Sequence, residues 1–176
     1  MALDAIRTWL GLGAARPETA EPAALRELVE TLEHLEPDQA RHLARFAYLL
    51  GRVAHADQHV SPEETRAMEA LVVKEGGLTA EQAVVVVGLA KSANLMFGGT
   101  ADFEVAREFS EAAPYEAKLA LARCLFRVAA TDQAISIAEE SEIHRIAAHL
   151  KILPEDLTAL RVSHARFLPG LSSRRE

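Results

Sequence analysis

Two stretches, RVAHADQHVSPEE from Arg52 to Glu64 and RVAATDQAISIAE from Arg127 to Glu139, settle what kind of molecule this is. They are offset by 75 positions and identical at seven of thirteen: Arg52/Arg127, Val53/Val128, Ala54/Ala129, Asp57/Asp132, Gln58/Gln133, Ser61/Ser136 and Glu64/Glu139. Val60/Ile135 is conservative, and the apolar register continues outside the segment at Ala47/Ala122, Leu50/Leu125, Met68/Ile143 and Leu71/Ile146. Self-similarity at a fixed offset marks a duplicated supersecondary unit. Each copy lies where one apolar-striped helix ends and another begins. The pattern therefore predicts two helix–loop–helix units packed about a pseudo-twofold axis.

Working outward, the rest of the chain reads as helix after helix. Pro37 opens a long helix at its first position, with Leu43, Phe46, Ala47, Leu50, Val53 and Ala54 as its buried stripe. A helix from Pro62 to Glu75 stops at Gly76 and Gly77. Thr79 and Gln82 form a capping-box pattern that opens the next, which runs to about Phe97. The Val84 to Val87 run sits inside that helical pattern, whose length rules out a strand. Further helices are expected at about Ala101 to Glu111, Pro114 to Thr131, Ile137 to Lys151 and Pro154 to Phe167. Ahead of them, Leu25, Leu28, Val29 and Leu32 mark another helix, and Leu3, Ile6, Trp9 and Leu10 a short amphipathic one. The fold expected is all-α: a single helical bundle of about seven to nine helices with an internal pseudo-twofold repeat. Residues 1–22 form an N-terminal helix and linker in this reading, 23–168 the domain, and 169–176 a tail.

Composition narrows the function classes. The 176 residues are 49% hydrophobic but only 5% aromatic, so the core is built from Ala, Leu, Val and Ile, which suits helices rather than a β-sandwich. The formal net charge is −7 and the basic residues are scattered, which argues against nucleic acid as a partner. No apolar run approaches the ~20 residues of a transmembrane helix. The single cysteine, Cys124, excludes an internal disulfide and a multi-cysteine zinc site, and it is expected to be a buried structural thiol. A reducing, cytoplasmic setting is the expectation.

The repeated motif carries two readings. Ser61 with Glu64, and Ser136 with Glu139, fit the S-x-x-E capping box, with Val60 and Ile135 placed as hydrophobic staples. Asp57 and Asp132 lie four residues ahead of the caps, where they can accept loop amide hydrogen bonds. A carboxylate seven residues ahead of another also matches the second half of an EF-hand loop. The first half is missing, since its ligand positions fall on Val53 and His55, or Val128 and Ala130, so neither loop is a calcium site by itself. If the pseudo-twofold brings the loops together, Asp57, Glu64, Asp132 and Glu139 supply four carboxylates. Charge at that density needs a cation, protons or solvent.

The pattern D-Q-x-[VI]-S-x-x-E after an R-V-A helix end resembles the tellurite-resistance protein TerB family, whose members carry two segments of the form A-D-G-x-[IV]-S-x-x-E. The resemblance covers roughly Pro37 to Phe167. It implies a compact helical bundle with an acidic surface that binds a divalent metal ion. It also implies a role in tellurium-oxyanion or general stress resistance beside a membrane-associated protein partner. The family's paired acidic positions fall on Asp57, Glu64, Asp132 and Glu139. Gln58 and Gln133 stand where the family has glycine, and glutamine reaches positive φ poorly.

Enzymatic readings fare badly. A di-metal carboxylate bundle needs Glu-x-x-His, yet the residues three before the histidines are Thr31, Gln39, Arg52, Ala56, Ser141, Ile146 and Arg161. No histidine is followed by Glu, which excludes H-E-x-x-H. Gly98-Gly99-Thr100 lacks the Lys-Ser/Thr of a phosphate loop. His55 and His59 flank Asp57 and could join a transition-metal cluster, but the second copy has Ala130 and Ala134 in their places. Glu140 and His144 are spaced as a helix-surface pair. The expectation is a non-enzymatic protein. Its acidic loops either hold a cation or serve only as caps in a protein-interaction domain.

Overall fold

The computed structural model describes residues 35–57, 59–97 and 102–168. The two N-terminal helices, the linker, Gln58, the Gly98–Thr100 turn and the tail of the sequence reading lie outside these residues. Among the described residues there are seven α-helices and no strand: α1 (Pro37–Ala54), α2 (Pro62–Gly76), α3 (Ala80–Phe97), α4 (Asp102–Ala112), α5 (Tyr115–Ala129), α6 (Ile137–His149) and α7 (Pro154–Ser163). A 3₁₀ turn, Ala165–Phe167, follows α7.

Local signals fix most helix ends. Proline occupies the first helical position of α1, α2 and α7, where its missing N–H is no loss. Ser61 and Ser136 cap α2 and α6 in nearly the same extended conformation, φ −69°, ψ 157° and φ −70°, ψ 159°. Thr79 and Gln82 complete the third box, with Thr79 N donating to Gln82 Oε1 and Gln82 N to Thr79 Oγ1. Gly77 ends α2 at φ +65°, a left-handed conformation that glycine adopts without a Cβ penalty. Only the last turn of the expected Pro154 to Phe167 helix tightens into the 3₁₀ turn.

Helix α1 is the axle of the bundle, packing against α2, α3, α4, α5 and α6. The pairings obey the internal repeat: α1 with α2 matches α5 with α6, and α1 with α6 matches α5 with α2. The core is aliphatic and alanine-rich, with Leu49, Leu50, Leu121, Leu125, Ile135 and Ile143 fully buried beside Tyr48, Phe109 and Phe126. Gly51 permits the close approach of α3. A Cβ there would stand 2.6 Å from Asn94 Nδ2, the nitrogen that donates to the Tyr48 carbonyl. Cys124 is buried, and burial pushes its thiol pKa up to about 11, so it stays protonated and inert.

Candidate functional site

The site assembles at the α1–α2 and α5–α6 loops. Both capping boxes are complete. Glu64 N donates to Ser61 Oγ at 3.0 Å while Ser61 N donates to Glu64 Oε2 at 2.8 Å. Glu139 N donates to Ser136 Oγ at 3.1 Å, and Ser136 N to Glu139 Oε2 at 2.7 Å. These bonds hold both glutamates inward, each only 5% exposed. The staple positions follow the apolar logic, Ile135 buried and Val60 half-buried against the core.

The two aspartates are exposed and behave differently. Asp57 Oδ1 accepts the His59 amide at 3.0 Å, a local turn. Asp132 Oδ1 instead accepts the Ser61 hydroxyl at 3.2 Å, across the pseudo-twofold. One serine oxygen thus caps its own helix and tethers the opposite loop. The second loop is also pinned from behind, where Ile135 N donates to the Phe167 carbonyl at 2.7 Å.

The loops are close enough for their charges to interact. Burial raises the Glu64 carboxyl above its ordinary value, and Glu139 and Asp132 push it further, against the Ser61 cap bonds that favour the ionised form. Burial likewise raises Glu139, with Asp57 and Asp132 adding to it and the Ser136 bonds opposing. None of the four carboxylates has an ion pair among the described residues. The two acidic loops, with Asp57, Glu64, Asp132 and Glu139, therefore lie near one another. They do not form a chelating set as they stand: among the described residues, no group of three or more His, Cys, Asp and Glu side chains is placed to hold a metal ion.

The histidines of the first loop stay at its edge. His59 is exposed. His55 is half-buried, and its pKa is lowered by burial first and then by Arg52 and Lys91; its Nε2 has no hydrogen-bond partner. The surface pairing expected between Glu140 and His144 is replaced by a contact between helices. Arg161 Nε of α7 lies 2.5 Å from Glu140 Oε1, because a full charge on a neighbouring helix is a stronger partner than an imidazole on the same one.

Directly behind the loops lies a buried polar cluster that the sequence reading did not contain. Tyr48 OH donates to Asp102 Oδ1 at 2.9 Å, and Arg52 Nε stands 2.7 Å from Asp102 Oδ2. Arg52 also reaches Glu142 Oε2 at 3.5 Å, and Arg145 pairs with the same carboxylate from outside. Asp102 and Glu142 are 4% and 2% exposed, so Arg52 is the inner cation for two buried acids. Burial, then the Asp102 carboxylate, drives the Tyr48 phenol well above its ordinary value. The available signal was Arg52 in the last turn of α1, between the apolar Leu50 and Val53 and four residues after Tyr48.

Residues 44–162, about two thirds of the chain, match the family described as tellurite resistance protein TerB. No curated protein and no solved structure gives a match. Among the described residues, no helix is long and apolar enough to cross a membrane.

Proposed function

Because the chain belongs to the tellurite resistance protein TerB family, we propose that it is a cytoplasmic, non-enzymatic accessory protein of tellurium or general stress resistance. In this reading the acidic loop pair takes a divalent cation, and the bundle is an adaptor for a membrane-associated protein partner. The observation that carries the cation reading is the bond from Ser61 to Asp132, which ties the two acidic loops together while none of their four carboxylates has an ion pair among the described residues.

The donor set fits a hard cation in chemistry, being all carboxylate oxygen. It fits in geometry only after a local rearrangement. Glu64 and Glu139 each commit Oε2 to a cap and keep one oxygen outside it. The exposed Asp57 and Asp132 must turn toward them to complete a ligand set. A second reading, favoured by the completeness of both capping boxes, is a protein-interaction domain whose loop acids serve only the helices.

The two separate in thermal unfolding of chelator-stripped protein with Ca²⁺, Mg²⁺, Mn²⁺ or Zn²⁺ added singly. A bound ion at one hundred times its dissociation constant stabilises by about 2.7 kcal/mol. We expect one ion to raise the midpoint of the wild type and not that of Asp57→Asn/Asp132→Asn, which leaves both Ser–Glu boxes intact. No shift for any ion, or the same shift in the variant, overturns the cation reading and leaves the caps.

A further inference from the structure

The repeat offset of 75 that pairs Arg52 with Arg127 also pairs Tyr48 with Arg123. In the first copy this i, i+4 pair on α1 grips a single carboxylate: Tyr48 OH holds one oxygen of Asp102 and Arg52 Nε lies against the other. Glu142, the second acid on Arg52, has Ala67 as its counterpart in the repeat, so the second copy lacks that carboxylate. Arg123 and Arg127 are both exposed on α5, and neither has an ion pair among the described residues. The second half has thus kept the i, i+4 spacing, exchanged a neutral phenol for a second guanidinium, and has alanine where the first copy's Arg52 meets Glu142.

These two arginines line a groove of about 390 Å³ between α5 and α7. Its apolar wall is Leu119, Ala159 and Leu160, and Ser163 and His164 stand at its polar end. The lining also holds one carboxylate, Asp156, whose Oδ2 accepts the Tyr115 hydroxyl at 2.5 Å, against the two guanidinium charges. We propose that this groove is a binding site for a small organic phosphate monoester. Two guanidinium groups match the double negative charge of such a head as one guanidinium and a phenol match the single charge of Asp102. The apolar wall receives the organic body, in a pocket of the size usual for small ligands. The groove is separate from the acidic loops in residues and in charge, so neither site's failure decides the other.

The test is titration calorimetry of the full chain at low salt with phenyl phosphate, inorganic phosphate and benzoate. Phenyl phosphate is expected to bind tighter than both others, to weaken with added salt, and to lose roughly tenfold or more in affinity for each of Arg123→Gln and Arg127→Gln. Arg107→Gln, an exposed arginine on α4, is expected to bind like the wild type. The unfolding midpoints of both groove variants should match the wild type, since neither arginine has an ion pair to lose among the described residues. Absence of phenyl phosphate binding, or equal binding by the Arg123→Gln/Arg127→Gln variant, overturns the site. Benzoate binding as tightly overturns the phosphate assignment, and inorganic phosphate binding as tightly overturns the role of the apolar wall.

Discussion

Gln133 sits at φ +63°, the left-handed region, in the tight turn closed by its own amide on the Ala130 carbonyl at 3.1 Å. A Cβ there costs about 1–2 kcal/mol, and the family pattern avoids it with glycine. That glutamine replaces glycine was plain in the sequence. Its consequence was not, because a loop can flatten to avoid positive φ or keep its shape under strain. Here the shape is held from both sides, by the Ser61 bond to Asp132 and the Phe167 bond to Ile135, so the strain stays. Gln133→Gly is accordingly expected to stabilise the protein by about 0.5–1 kcal/mol, after allowing for the greater freedom of glycine in the unfolded chain. Urea unfolding measures it directly, and a neutral or destabilised variant means that the turn is not strained.

At the scale of elements, the helix starts were nearly all legible, because proline, Ser-x-x-Glu and glycine act within a few residues of where they stand. The packing of α4 was not. Its first residue, Asp102, meets Tyr48 and Arg52 across fifty positions or more, and no local pattern announces such a contact. The repeat itself invited a wrong equivalence, since Arg52 and Arg127 are identical residues at matching positions. Their surroundings differ: Arg52 is enclosed between two buried acids, whereas Arg127 is exposed on α5. The same substitution should therefore have unequal effects. Arg52→Gln leaves Asp102 and Glu142 buried without their inner cation and is expected to destabilise by about 3–5 kcal/mol. Arg127→Gln removes only a solvated charge and should stay within about 0.5 kcal/mol. Chemical denaturation of the two variants side by side decides the point, and equal effects would mean that the buried cluster is not held through Arg52.

For the whole molecule, a net charge of −7 says nothing about where the charge lies. Folding brings the two acidic loops together and leaves an arginine groove between α5 and α7; the repeat alone foretold the first, and the second needed the wall that α7 supplies. The loop cluster makes global stability depend on pH in a direction opposite to ordinary acid denaturation. Glu64 and Glu139 have raised pKa values in the folded protein, so their stabilising effect is complete below the unfolded chain's 4.5 and is lost as pH rises through the folded values. His42 and His55 work against them. Burial lowers both below 6.5, so the unfolded chain takes up protons first and acidification through that window destabilises the fold. Subtracting two curves isolates the glutamates. Glu64→Gln/Glu139→Gln keeps the capping geometry, since glutamine serves at that position, but cannot ionise. Without divalent cations, the variant should gain on the wild type as pH rises from about 4.5 toward neutrality, read as the difference in urea midpoint. A saturating divalent cation should reverse that difference, because it binds only the ionised loops and so stabilises the wild type more as they deprotonate. Parallel curves without the ion would show that neither burial nor the neighbouring carboxylates raise the two glutamates. A difference that persists unchanged with every ion would leave the cluster as a proton site alone.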